Sequence, residues 1–101
     1  IIKNYYGACL PVSELQKSYR WDASCQGTVP QALQCFIEST DFEDAIRNAI
    51  SIGGDSDTIA AITGAVAGAY YGVPADIQAT ARKYVPDTLL EIVDRFENAV
   101  A

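Results

Sequence analysis

The feature that most constrains this chain is an uncharged run of eighteen residues, Thr58 to Ala75, preceded directly by Gly53-Gly54-Asp55-Ser56-Asp57. Such a run must lie inside the fold or in lipid. A membrane span needs about twenty strongly apolar residues. This one is rich in Ala and Gly, and Gly64, Gly68, Gly72 and Pro74 leave a continuous apolar part closer to thirteen residues. It reads as a buried helix from near Asp57 to Tyr71 that closes at Gly72, and no membrane partner is expected. Gly64, Gly68 and Gly72 recur every fourth position, so they share a face that another helix can approach closely. A helix apolar nearly all round needs neighbours on every side. The other helical segments here are too few and too short for that, so something outside the chain is expected to complete the shell.

The remaining pattern is helical as well. Ser13 is a candidate cap for a short helix ending near Tyr19, and Arg20 to Gly27 reads as loop. Thr28 is the expected N-cap of a second helix reaching about Ser39. Pro30 lies in its first turn, where a missing N–H costs nothing, and Val29, Leu33, Phe36 and Ile37 form its apolar face. Asp41 should cap a third, with Phe42, Ala45, Ile46, Ala49 and Ile50 inward and Glu43 paired to Arg47 on the outer face. Gly53 and Gly54 stop it. Pro74 and Pro86 frame a short helix with Ile77, Ala81 and Tyr84 inward, then a last one with Leu89, Val93, Phe96 and Val100 on one face. No alternating strand pattern stands out. The fold class is all-α.

Composition removes several chemistries. With no His, this chain cannot by itself build a Ser–His–Asp triad, a Cys–His dyad, a Cys₂His₂ finger or an HExxH site. Thirteen acidic against seven basic side chains, a net charge of −6, argue against binding a nucleic-acid backbone. Lys3, Lys17, Arg20, Arg82 and Lys83 form no stripe and read as solvated surface, as do Glu38, Asp41, Glu43 and Asp44. Cys9, Cys25 and Cys35 are an odd set without a CxxC pair, which reads as reduced thiols in a cytoplasmic protein. Residues Ile1 to Leu10 are broken by Lys3, Asn4 and Gly7 and do not resemble a signal peptide. Trp21 and the six Tyr read as core and interface rather than base-stacking residues. The chain contains no Met and starts Ile1-Ile2-Lys3, so a trimmed or partial chain is the expectation.

The chemistry concentrates in Gly53-Gly54-Asp55-Ser56-Asp57-Thr58. Two carboxylates one residue apart repel unless a cation lies between them. Thr58 adds a hydroxyl oxygen, and a donor set of oxygens without sulfur or imidazole suits a hard ion, Mg²⁺ first, then Mn²⁺ or Ca²⁺. The glycines permit a tight turn and let a ligand approach the backbone. The helix N-terminus beyond favours anionic groups, phosphate included. The plain alternative is that Asp55 or Asp57 merely caps the helix. An EF-hand loop starting at Asp55 fails, because Ile59, Ala60 and Val66 stand where an oxygen ligand, Gly and the bidentate Glu belong. A phosphotransferase Asp-x-Asp needs a preceding buried strand, and here a helix and two glycines precede it.

The stretch from Gly53 through Ala65 resembles the C-terminal signature of the ADP-ribosylglycohydrolase family, of the dinitrogenase-reductase-activating glycohydrolase type. The likeness extends to Ser24-Cys25-Gln26-Gly27-Thr28-Val29-Pro30-Gln31-Ala32-Leu33, to Asp41 through Arg47 and to Ala69 through Pro74. The resemblance implies an all-α orthogonal bundle and a magnesium-dependent hydrolase that removes ADP-ribose from a modified protein side chain or a small molecule. Its Mg²⁺ site, with Mn²⁺ the runner-up, would be dinuclear in the complete enzyme. By that likeness Asp55, Asp57 and Thr58 are metal ligands, Asp57 the better candidate to bridge two ions, while Gly53 and Gly54 line the ribose and phosphate pocket. The loop Ser24 to Thr28 would form part of the pocket wall. No residue of this chain is assigned a catalytic role. The family's upstream Thr-Asp-Asp motif has no counterpart here; Thr40-Asp41 and Asp87-Thr88 are the nearest dipeptides. Residues 1–101 are therefore expected to be one piece, the C-terminal portion of such a domain, with the N-terminal half of the same protein as partner. The alternative is a non-catalytic ADP-ribose-binding or structural member of the family.

Overall fold

A computed structural model describes residues 9–100. Among these residues it contains six α-helices and no strand: α1 (Val12–Ser18), α2 (Val29–Ile37), α3 (Phe42–Ser51), α4 (Ser56–Tyr71), α5 (Ala75–Arg82) and α6 (Asp87–Val100). The all-α expectation holds. The readings that involve Ile1 to Gly7, including Lys3 and the start of the chain, lie outside the described residues.

Local chemistry accounts for most helix ends. At α3, Asp41 is extended and its Oδ1 accepts the Asp44 N–H at 2.7 Å. Asp44 Oδ2 in turn accepts the Thr40 N–H at 2.9 Å, a capping box displaced by one residue. The Glu43–Arg47 pair forms at 3.0 Å. Ser13 does not cap α1: Pro11 holds that position, and the N–H of Val12 is satisfied from a distance by Glu38 Oε2 at 2.8 Å. Proline has no side-chain acceptor to cap with, so the remote Glu38 carboxylate takes that part. Thr28 is the N-cap of α2, but its Oγ1 donates to the Asp22 carbonyl at 3.1 Å rather than capping.

The core lies between α1, α2, α3 and α4. Val12, Leu15, Ala32, Cys35, Ala49, Ile52 and Ile59 form it, and Ala45 and Ala67 are equally buried. Helices α2, α3 and α4 pack pairwise, and α1 rests on α2. Full burial of a side chain such as Ile59 is worth about 1.5–3 kcal/mol. Gly64 sets the closeness of α3 to α4, since a Cβ there would lie 3.1 Å from Ile46 Cδ1, whereas one on Gly68 would press on Val73 Cγ2 at 3.2 Å and meet Phe42 Cε1 only at an ordinary 3.7 Å. Gly72 belongs to the helix terminus instead. Thr63 is wholly buried, and its Oγ1 donates to the Ala32 carbonyl at 2.9 Å, which removes the cost of an unpaired hydroxyl. Tyr71 donates to the Ser39 carbonyl at 2.9 Å, and the rings of Tyr70 and Tyr71 both meet Phe36, at 5.5 and 5.8 Å between centroids, which ties the end of α4 to the end of α2.

Four expectations need correction. The buried face of α2 is Pro30, Ala32 and Cys35, while Ile37 is exposed. Small residues face α4 there because the helices approach closely, and the larger Leu33 and Phe36 are left half-buried beside them. Ile50 of α3 is likewise exposed. Helices α5 and α6 bury no residue: Ala81, Leu89, Ile92, Val93, Phe96 and Val100 are exposed, as is Tyr84 just after α5, and the Arg82–Asp94 pair at 2.6 Å joins these two helices to each other rather than to the core. Trp21 is exposed rather than core. The outer stripe of α4, Ala61, Ala65, Ala69 and Tyr70, is also uncovered, so the shell around that helix is incomplete in this chain, as expected.

Candidate metal site

The turn from α3 to α4 carries the candidate site. Ile52 ends α3, Gly53 and Gly54 follow at φ 76° and 71°, and α4 starts one residue after Asp55. Both glycines occupy the left-handed region that side-chain-bearing residues avoid. Gly54 has a second reason to be glycine: a Cβ there would fall 2.4 Å from Tyr19 Cε2, whereas Gly53 has nothing within 4 Å.

Asp55 stands in the N-cap position but its side chain makes no cap hydrogen bond, because its backbone (φ −79°, ψ 68°) is not the extended form that turns a side chain over the helix end. The Asp55 carbonyl still receives the first helical bond, from Ile59 N–H at 3.0 Å. Asp57 lies in the first turn with its Oδ1 on the Thr58 N–H at 2.9 Å. The Asp57 carboxyl is held below its usual range, first by hydrogen bonding with the Asp55 carboxyl and then by the Thr58 N–H. A cation between two carboxylates this close would offset their mutual repulsion. Asp55 is half-buried, and Asp57 and Thr58 are exposed. The turn therefore brings together Gly53, Gly54, Asp55, Asp57 and Thr58, the five residues singled out from sequence.

Beside this turn runs the loop from Tyr19 to Thr28. Asp22 Oδ1 accepts the Ser24 N–H at 2.8 Å, and Gly27 N–H donates to Ser24 Oγ at 3.1 Å. Hydrogen bonding from the Ser24 hydroxyl, and then from the Ser24 N–H, holds the Asp22 carboxyl below its usual range. A cavity of about 310 Å³ opens here, lined in part by Leu15, Tyr19, Arg20, Trp21, Gly27 and Gln31. Of the expected wall Ser24 to Thr28, Gly27 is a lining residue. Tyr19, Arg20 and Trp21 carry no recognisable motif, and only their contacts in space mark them.

Among the described residues no three His, Cys, Asp or Glu side chains come together to enclose a metal. The donors present fit a hard divalent cation in kind, two carboxylates and a hydroxyl at an exposed helix start, and leave most of its oxygen shell to water or other groups. Burial pushes the Cys35 thiol up to about 12 and also raises Cys9, so neither of these two is a ready thiolate at neutral pH. Among the described residues no helix is long and apolar enough to cross a membrane.

A family model described as ADP-ribosylglycohydrolase matches residues 5–101. The chain is similar to ADP-ribosylhydrolase ARH3 of Homo sapiens, 42% identical over 57 residues that cover 46% of this chain and 16% of that protein. It is similar to ADP-ribosylhydrolase ARH3 of Bos taurus at 40% identity over the same shares of each. An uncharacterized protein of Archaeoglobus fulgidus is 46% identical over 41 residues, 41% of this chain and 13% of that protein. The matched part thus spans about a sixth or less of the length of these curated relatives. No solved structure matches the chain.

Proposed function

The chain belongs to the ADP-ribosylglycohydrolase family, and from that premise we propose that it supplies the C-terminal half of the metal site of a magnesium-dependent hydrolase. The reaction would release ADP-ribose from a modified protein side chain or a small molecule by cleaving an N- or O-glycosidic bond. One observation carries the reading. Asp55 occupies a helix N-cap position yet leaves its carboxylate off the helix, against Asp57 and on a turn built from two left-handed glycines.

In this reading Asp55, Asp57 and Thr58 would hold the ion, Mg²⁺ before Mn²⁺, as this chain's share of a dinuclear site in the complete enzyme. When bound, Mg²⁺ would orient ribose hydroxyls and water and offset charge developing in the transition state. The chain's own contributions are positional. The Gly53–Gly54 turn lets a ribose or phosphate group approach the backbone, since Gly53 has open space where a side chain would be. The start of α4 offers N–H groups and a dipole that favour phosphate. The N-terminal half of the same protein would provide the remaining ligands and cover α6 and the outer stripe of α4. A cytoplasmic location belongs to the same proposal and rests on three free cysteines.

The test has two arms. Calorimetric titration should show weak Mg²⁺ uptake by this chain that Asp57→Ala abolishes; identical traces would leave Asp55-Ser56-Asp57 as a helix start and nothing more. Peptides carrying ADP-ribosyl arginine or serine should stay intact with this chain alone, and turnover by it would overturn the half-site assignment.

A further inference from the structure

The Gly53–Gly54 turn has few bonds of its own. Gly53 N–H reaches the Ile50 carbonyl at 3.2 Å and Ser56 N–H the Gly54 carbonyl at 2.9 Å. Two consecutive glycines have the widest choice of backbone states of any pair, so something beyond the turn must select this one. The nearest outside group is the Tyr19 ring: its Cε2 and Cδ2 atoms occupy the space, 2.4 and 3.0 Å away, in which a Gly54 Cβ would sit. The Arg20 carbonyl lies next, 3.5 Å from the same point.

Tyr19 is itself held. Its ring packs against the buried core, and its hydroxyl donates to the Gly27 carbonyl at 2.5 Å. A phenylalanine would fill the same space, so the hydroxyl serves to fix the ring's direction rather than to fill the core. Gly27 belongs to a loop that is tied to itself. Asp22 accepts from Ser24 N–H, Gly27 N–H donates to Ser24 Oγ, and Thr28 Oγ1 donates to the Asp22 carbonyl. Gly27 also lies so tightly on Asp22 that a Cβ would fall 2.1 Å from Asp22 Oδ2. A continuous line of contacts therefore runs from the 22–28 loop through the Tyr19 hydroxyl and ring to Gly54, one residue from Asp55.

We propose that Tyr19 is a positioning residue: clamped by Gly27, it fixes the Gly53–Gly54 turn and thereby the direction in which Asp55 and Asp57 present their carboxylates. The inference rests on the metal reading of that turn. It also makes the cavity wall and the metal turn one unit, since Tyr19 and Gly27 line the cavity. A ligand pressing on that wall would act on the carboxylates through the ring.

The test compares Tyr19→Phe and Tyr19→Leu with the wild-type chain, using glycine-labelled amide spectra without metal and Mg²⁺ titration far below the melting temperature. Tyr19→Phe should stay folded, move the Gly53 and Gly54 amide signals and lower Mg²⁺ affinity about tenfold, the size typical of groups that orient metal ligands. Tyr19→Leu should lower it further, and Phe should restore part of what Leu loses. A merely structural tyrosine would lower the melting temperature and leave both readouts unchanged. If Asp57→Ala abolishes Mg²⁺ uptake while both Tyr19 variants bind as the wild type does, the clamp is overturned and the metal reading stands. If the wild type takes up no Mg²⁺ but Tyr19→Phe still moves Gly54, the metal reading fails and the clamp stands.

Discussion

Helices α3 and α4 both begin at an aspartate in the N-cap position, Asp41 and Asp55, and only Asp41 caps. Asp41 has extended backbone angles (φ −157°, ψ −178°), which bring Oδ1 within 2.7 Å of the Asp44 N–H. Asp55 arrives from two left-handed glycines with ψ at 68°, and its carboxylate lies beside Asp57 instead. The same residue type in the same position thus serves helix stability in one case and leaves a carboxylate for another partner in the other. The path of the chain into the helix decides between them.

This contrast can be broken from either side. The largest effect on folding should come from the entry path. Gly54→Ala has to bear both the left-handed backbone and a collision with Tyr19, and should cost about 3 kcal/mol in urea unfolding. Gly53→Ala bears only the backbone term, about 1 kcal/mol. Equal losses at the two glycines would show that the Tyr19 contact does not constrain the turn.

Next come the caps themselves. Asp41→Ala should cost about 1 kcal/mol and leave Mg²⁺ binding untouched. Asp55→Ala should change stability by less than about 0.5 kcal/mol, since no cap bond is lost, while removing Mg²⁺ uptake. A stability loss at Asp55 as large as at Asp41 would return Asp55 to a capping role.

The smallest effect is on pH dependence. The folded-state pKa of Asp57 lies below its ordinary value of 3.8, so its contribution to stability is present above that value and lost as pH falls through the lower one. Asp57→Asn should therefore flatten the acid limb of the thermal-stability profile below about pH 4, most visibly without metal. An unchanged limb would mean that the Asp55 contact does not stabilise the ionised form.

Much of this architecture was legible because helix punctuation is local. Asp41, Gly53-Gly54, Gly72 and the two late prolines act on their own backbone or the next few residues, and the helices end within a residue or two of where they imply. The candidate residues, Asp55, Asp57 and Thr58 for a metal and Gly53 and Gly54 for substrate, could be picked out together for the same reason, since all five lie on one short turn. Tyr19 was not, because its partners Gly27 and Gly54 stand eight and thirty-five positions away, and no spacing rule links a ring to a glycine that must make room for it. The inward face of α2 was misread because apolar size is a poor guide where helices pack closely. Ala32 and Cys35 are wholly buried there, and the exposed Ile37 lies on the other side.

The sequence by itself determined the helical class, the helix ends and the place of the two carboxylates, since all three follow from periodicity and turn chemistry over a few residues. Only the tertiary structure decided that α5 and α6 lie off the core, that Thr63 is satisfied by Ala32, and that Asp55 leaves its own helix uncapped. Those outcomes depend on distances between segments remote in the chain and on the backbone direction with which two glycines deliver α4.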